Sequence, residues 1–177
     1  MKKTFTLLTM ISMVLHLLWA QAPRYSDEQL AALKSEIEDK VQERAKMAQV
    51  MVDKIFSFAE LGFQEFESSR YLTDILKEHG ISGVPTAWWA KWGSGKPVIA
   101  LGSDLDCIPK ASQKPGVAYH DPIIDGAPGH GEGHNSGIPL NIISAITVKE
   151  VMEREGLQGT LILWPGIIEY PTLRKKE

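Results

Sequence analysis

The chain has 177 residues, of which 23% are charged, with a formal net charge of -3 and a pI near 6.0. This balance argues against a nucleic-acid partner, because the sequence has no stripe of Lys and Arg that could meet a phosphate backbone. The single cysteine, Cys107, excludes a disulfide within the chain and is interpreted as a small buried residue.

The first residues have the pattern of a bacterial export signal. Lys2 and Lys3 precede a mostly apolar stretch over residues 5–18, and the small Ala20 follows it. We therefore predict a signal peptide over residues 1–20 and an exported protein, periplasmic or extracellular. A membrane span needs about 20 apolar residues, so no stable span is expected once the signal is removed. An uncleaved amphipathic anchor is the alternative.

Two helices are predicted next. Ser26 is a suitable N-cap, and no Gly or Pro interrupts the helical spacing of apolar residues from there to Phe58. A second helix is predicted over residues 65–79, with Gly80 in the position that follows a helix C-terminus. The stretch over residues 83–95 is rich in turn residues, and its three tryptophans are expected to pack around a strand edge rather than to line a binding cleft.

A βαβ unit is predicted in the second half of the chain. Residues 98–102 and 160–164 are short apolar runs typical of buried strands. A loop over residues 110–128 and a helix over residues 138–155 lie between them. The two strands should therefore be parallel with a right-handed crossover, and a site should form at their carboxyl ends.

Three groups of potential metal ligands fall at that edge. Asp104 and Asp106 follow the first predicted strand, Glu169 follows the second, and Glu132 and His134 lie at the start of the crossover helix. Each group taken alone has a simpler explanation as a capped turn, a solvated carboxylate or a Gly/His surface loop. Their convergence on one edge favours a metal-centred site.

The chemistry of such a site would be hydrolytic. Glu132 and His134 offer carboxylate oxygen and imidazole nitrogen, which zinc, manganese and cobalt accept, and Gly133 between them permits a sharp turn. Either aspartate could complete the ligand shell or orient the imidazole. Glu169 could take a proton from water activated by the ion, so that hydroxide attacks a polarised carbonyl.

The sequence resembles the zinc-dependent amidohydrolases, aminoacylases and carboxypeptidases, most closely the branch of the aminobenzoyl-glutamate utilization B proteins. The resemblance is carried, in order, by AELGFQEFESS over residues 59–69, GSGKPVIA over 93–100, DLDCIP over 104–109 and GHGEGHN over 129–135. It implies an α/β fold: the N-terminal part of a metallo-aminopeptidase-like catalytic domain, with two helices followed by the βαβ unit of a mostly parallel sheet.

The resemblance also implies roles for single residues. The metal ligands would be Glu132, His134 and Asp104. Asp106 would support the metal centre, and Glu169 would be the general base. Glu132 stands where much of this branch has a metal-binding cysteine. The cofactor would be a divalent metal, zinc or manganese, and the carboxylate shifts the preference towards manganese.

The chain also departs from the family pattern. Tyr170 replaces the second of the family's paired glutamates, and residues 171–177 match nothing in the family. We therefore expect residues 26–177 to be a partial, truncated catalytic domain without the inserted dimerisation domain and the C-terminal half. The expected activity is hydrolysis of amide bonds in N-acyl amino acid or aminobenzoyl-glutamate-like substrates. The alternative is an inactive remnant, or a non-catalytic partner of a full-length relative.

Overall fold

The computed structural model describes residues 25–83 and 88–166. The predicted signal peptide and Glu169 lie outside these ranges. The chain divides into two compact units, one up to Glu36 and one from Ile37 onward. Within the described ranges, no helix combines the length and the apolar character that crossing a membrane requires.

The long N-terminal helix is interrupted, so the prediction of one helix from Ser26 to Phe58 is wrong. Helix α1 covers Asp27–Glu43 and helix α2 covers Ala45–Phe58. Arg44 between them has ψ near 6°, and its guanidinium donates to the carbonyl of Lys40 at 3.0 Å and to the carboxylate of Glu150. No Gly or Pro marks the break in the local sequence. The contact that accompanies the break is made with Glu150, more than a hundred residues away, so a local pattern could not predict it.

The next helix agrees closely with the prediction. Helix α3 covers Phe66–Glu78, and Gly80 follows its cap residue His79 with a φ of +70°. Glycine adopts this left-handed conformation without the steric cost that a side chain would carry. The turn that ends α3 is therefore encoded locally.

The predicted βαβ unit is confirmed within a four-stranded sheet. Its strands are β1 (Ser82–Gly83), β2 (Ala90–Ser94), β3 (Val98–Asp104) and β4 (Gly159–Gly166), in the order β1-β2-β4-β3. Strands β3 and β4 are parallel, and helix α4 (His134–Arg154) connects them. The antiparallel strand β2 was not predicted, because its lysine, glycine and serine leave only Ala90 and Trp92 as apolar residues, and its five-residue pairing with β4 is a tertiary contact.

Burial differs between the two predicted buried strands. In β4 the side chains of Leu161 and Leu163 are at most 2% exposed, as predicted. In β3 that prediction is wrong, because Val98 and Ile99 are 55% and 45% exposed. Strand β3 forms one end of the described sheet, whereas β4 has a neighbour on each side. The core joins the helices to the sheet through residues such as Met51, Ile55, Leu72, Leu76, Ile142, Ile146 and Leu163.

Candidate metal centre

The fold brings together four of the five predicted site residues. Asp104 is the last residue of β3 and Asp106 lies two residues beyond it. His134 begins α4, and Gly133 before it has a φ of +103°. The sharp turn expected at Gly133 is therefore present, and it places Glu132 and His134 beside the two aspartates. The fifth residue, Glu169, lies outside the described residues.

His134 is at the centre of the cluster. Its Nδ1 lies 3.0 Å from the backbone carbonyl oxygen of Asp106 and 3.3 Å from Oδ1 of the same residue. A carbonyl oxygen can only accept a hydrogen bond, so this contact favours the tautomer that carries its hydrogen on Nδ1. A backbone carbonyl on one imidazole nitrogen is the usual way in which proteins orient a histidine that binds metal through the other.

The remaining two carboxylates lie on opposite sides of this imidazole. Oε1 of Glu132 is 3.0 Å from Nδ1 of His134, whereas Oδ2 of Asp104 is 3.8 Å from Nε2. The contacts are thus pairwise. Among the residues that the structure describes, no three His, Cys, Asp or Glu side chains form a group that could hold a metal ion together.

Buried polar atoms in the cluster nevertheless lack hydrogen-bond partners. They are Oδ1 of Asp106 and Oε1 of Glu132, whose close contacts with Nδ1 of His134 do not have hydrogen-bond geometry, and Nδ1 of His130. The side chains of Asp106 and His130 are only 3% and 1% exposed. Leaving a buried carboxylate oxygen without a partner is costly, and a bound cation would remove that cost. The donor set of carboxylate oxygen and imidazole nitrogen therefore fits a divalent ion in its chemistry.

His130 is a buried neutral base inside the motif. Burial lowers its pKa to about 4, a hydrogen bond with the backbone of Ile55 opposes this effect, and the charge of His134 adds to it. Its Nδ1 lies 3.9 Å from Oε1 of Glu132, and its ring is 6.5 Å from the ring of Phe56. His130 belongs to the GHGEGHN motif over residues 129–135, but the burial of its side chain could not be predicted from the sequence.

Cys107 is buried, as predicted, and its thiol stays protonated. Only 2% of the residue is exposed. Burial raises the pKa of Cys107 to about 12, and the negative charges of Glu132 and Asp106 contribute to the increase. A thiol in this state is neither a nucleophile nor a ready metal ligand near neutral pH.

The glycines of the motif allow a close approach of two loop segments. Gly129 and Ile108 form an antiparallel bridge with backbone hydrogen bonds of 3.0 and 3.1 Å. A Cβ atom on Gly129 would lie 2.3 Å from the carbonyl oxygen of Ala111. Only glycine fits at this point of contact, which fixes the path of the chain towards Glu132 and His134.

The chain is similar in sequence to a bacterial hydrolase subunit. No family model matches the chain. A protein of Escherichia coli (strain K12) that is one of the subunits of p-aminobenzoyl-glutamate hydrolase is 33% identical over 131 residues, which are 71% of this chain and 27% of that protein. The chain thus spans about a quarter of the length of this relative.

Two solved structures share the fold. A protein described as an aminohydrolase from methicillin-resistant Staphylococcus aureus matches with a TM-score of 0.63 and 19% identity, over 78% of this chain and 36% of that one. A dinuclear metal-binding peptidase of the M20 family from Bacillus subtilis matches with a TM-score of 0.51 and 22% identity, over 68% of this chain and 34% of that one. The matched part is in both cases about a third of the larger chain.

Proposed function

We propose that the chain carries part of an amidohydrolase or M20-type peptidase catalytic domain and contributes to a metal-dependent centre for amide-bond hydrolysis, which is supported by its similarity to the hydrolase subunit and to the two solved structures. The substrates would be N-acyl amino acids or compounds like aminobenzoyl-glutamate, the class that the name of the 33% identical relative indicates. The observation that carries the proposal is the meeting of Asp104, Asp106, Glu132 and His134 at the carboxyl end of β3.

The residues divide by role within this proposal. Asp106 orients the His134 imidazole through its carbonyl oxygen, so it supports the centre rather than binding the ion itself. His134 would bind the ion through Nε2, which faces Asp104 at 3.8 Å. Glu132 would contribute a carboxylate oxygen after a change of its side-chain torsions, because its Oε1 now faces Nδ1.

A divalent ion bound here would polarise the amide carbonyl and make water more acidic. Glu169 is proposed as the residue that accepts the proton from the attacking water. The peptidase from Bacillus subtilis is described as binding two metal ions, which supports a divalent metal as cofactor. With carboxylates at Glu132 and Asp104, and none of the thiolate ligands that favour zinc, we propose that the site accepts manganese as well as zinc.

The proposal is tested by metal binding and by hydrolysis in the same preparation. The purified chain, stripped with a chelator, is titrated with Mn²⁺ and Zn²⁺ and then assayed with N-benzoyl-glutamate and p-aminobenzoyl-glutamate. Release of free glutamate that depends on added metal, and that is lost in His134→Ala, is the expected result. If the chain takes up no ion and releases no glutamate, the proposal is wrong.

A non-catalytic role is the second candidate. It is supported by the pairwise contacts of the donors, in which His134 meets each carboxylate separately, and by the 33% identical relative. That relative is itself named as part of a larger enzyme. Under this alternative the chain would bind a full-length relative. Co-purification with such a protein, together with a metal titration that shows no binding to the chain alone, would favour it.

Export is proposed on the sequence pattern of residues 1–20. Cleavage after Ala20 would leave Gln21 as the first residue of the mature protein. Mass spectrometry of the protein recovered from the periplasm or the medium would show a chain that begins at Gln21. An intact N-terminus in a membrane fraction would instead indicate the uncleaved anchor.

A further inference from the structure

Glu60 lies outside the metal cluster but is connected to it by hydrogen bonds. We propose that Glu60 is a positioning residue, which sets the orientation of the Asp106–Cys107 peptide group and through it the tautomer and orientation of His134. The inference rests on the proposed function, because it concerns the same centre. It assigns a role to a side chain that neither the ligand pattern nor the metal chemistry identifies.

The first part of the connection is the Glu60 carboxylate. Its two oxygens accept hydrogen bonds from the backbone N–H groups of Glu67 and Ser68, at 2.8 and 2.9 Å. These donors belong to the first turn of α3, where N–H groups have no partner within the helix. The helix dipole also favours a negative charge at this end. Both oxygens are engaged by rigid backbone, so the side chain fixes the position of residue 60 itself.

The second part is the Glu60 backbone. Its carbonyl oxygen accepts a hydrogen bond from the N–H of Cys107 at 2.9 Å. The next residue, Leu61, forms a parallel bridge with Cys107. The loop between α2 and α3 therefore runs beside the segment that carries the aspartates, and a shift of Glu60 would be passed directly to Cys107.

The third part is a single peptide group. The N–H of Cys107 and the carbonyl of Asp106 belong to the same planar unit, which rotates as a whole. One end of the unit donates to Glu60 and the other accepts from Nδ1 of His134 at 3.0 Å. Rotation of this plane would weaken both bonds. Hydrogen bonds in such a series also polarise one another, so the bond at Glu60 strengthens the bond at His134.

Two substitutions of Glu60 and one control test the inference. Glu60→Ala removes both acceptor oxygens, whereas Glu60→Gln keeps one and should retain part of the effect. Ser26→Ala is the matched control, because Ser26 caps α1 by accepting from the N–H of Gln29 at 3.2 Å and belongs to the compact unit that ends at Glu36. Loss of a cap lowers stability in both cases, so only an effect on the cluster separates them.

Two measurements are made on the full chain. Titration with Mn²⁺ and with Zn²⁺ gives the affinity, which should fall roughly tenfold to a hundredfold in Glu60→Ala, as for loss of other residues that orient metal ligands. The metal affinity of Glu60→Gln should fall less, and that of Ser26→Ala should stay within about twofold of the wild-type affinity. Without metal, NMR should show faster exchange of the Cys107 amide hydrogen and a smaller excess of the Nδ1–H tautomer of His134 in Glu60→Ala, smaller changes of the same kind in Glu60→Gln, and no change in Ser26→Ala.

The outcomes distinguish this inference from the proposed function. If the wild-type chain binds no ion, the proposed function fails, and the NMR measurements on the metal-free protein still decide the role of Glu60. An unchanged Cys107 exchange rate and an unchanged His134 tautomer in both Glu60 variants would overturn the inference. An affinity loss equal to that of Ser26→Ala would do the same. If Glu60→Ala does not fold, the comparison of Glu60→Gln with Ser26→Ala decides.

Discussion

Gly129 shows how strongly one residue can constrain the loop that leads to the candidate site. A Cβ atom at this position would lie 2.3 Å from the Ala111 carbonyl oxygen and 2.9 Å from the Cα of Ser112. Both are backbone atoms, which cannot move aside as the end of a flexible side chain can. Two residues later, a Cβ on Gly131 would meet only the Cδ1 of Ile108, at 3.3 Å. The packing therefore excludes a side chain at Gly129, whereas at Gly131 a small shift of the Ile108 side chain would make room for one.

We predict that Gly129→Ala lowers the free energy of unfolding by about 1–3 kcal/mol, the usual cost of forcing atoms into a tightly packed position. Gly131→Ala, as the control, should change it by less than about 0.5 kcal/mol. Urea denaturation of the two variants beside the wild-type chain measures both effects. Equal stability of the two variants would show that the backbone contact at Gly129 relaxes without cost.

The buried thiol of Cys107 gives a second prediction at the scale of a residue. With a pKa raised to about 12, on the order of one thiol in ten thousand is ionised at pH 8, and only the thiolate reacts. We expect a thiol reagent such as DTNB to label the folded chain at pH 8 at least a hundredfold more slowly than the chain in urea. Rapid labelling of the folded protein would show that Cys107 is accessible and that the loop around it opens.

At the scale of elements, the sequence predicts helices and strands where their signals are local. Helix α3 and its Gly80 end are encoded within the segment itself, and so is the apolar run of β4. The break at Arg44 and the strand β2 depend on partners elsewhere in the chain, Glu150 and β4 respectively. Such partners are not visible in a window of neighbouring residues.

Glu150 on α4 therefore has a testable role at the break near Arg44. Burial raises the pKa of Glu150, but hydrogen bonds and charges from Lys40 and Arg44 outweigh it and the net pKa is lowered. A carboxyl whose pKa is lowered in the folded state stabilises the protein at pH values above 4.5, the pKa of the carboxyl in the unfolded chain. This contribution is lost as the pH falls through the pKa of the folded state. The effect should be present at pH 7 and absent well below pH 4.5.

We predict that Glu150→Gln lowers the free energy of unfolding at pH 7 by roughly 0.5–1 kcal/mol, the range of partly exposed ion pairs. The matched control is Glu153→Gln on the same helix, where the carboxylate pairs with Lys149 one turn away. Glu153→Gln should lower the free energy of unfolding by less than Glu150→Gln does. Urea denaturation at pH 7 and at pH 3 is the measurement, and a Glu150→Gln effect of the same size at both pH values would contradict the linkage.

At the scale of the whole molecule, the convergence of the cluster could be predicted from topology. Two apolar runs joined by a helix imply parallel strands, and parallel strands place the residues after β3 beside the start of α4. The contacts inside the cluster could not be predicted in this way. Whether Glu132 faces Nδ1 or Nε2 of His134 depends on side-chain torsions, and the burial of His130 depends on how the loop folds back over α2.

The cluster also gives a prediction about the stability of the entire chain. A ligand that binds only the folded state stabilises it, by about 2.7 kcal/mol when its free concentration is a hundred times its dissociation constant. We therefore expect Mn²⁺ or Zn²⁺ to raise the thermal unfolding midpoint, and a chelator to reverse the increase. The metal would draw the carboxylate oxygen of Glu132 that lacks a hydrogen-bond partner into its ligand shell, and its positive charge would offset that of the buried Asp106 carboxylate.

Two histidine variants distinguish this site from general binding of metal to surface imidazoles. His134→Ala should abolish the metal-dependent increase, because His134 is the residue that contacts all three carboxylates of the cluster. His120→Ala removes an exposed imidazole in the loop between β3 and α4 and should leave the increase unchanged. An equal loss in both variants would indicate weak binding at the surface. An increase that survives in His134→Ala would place the metal elsewhere in the chain.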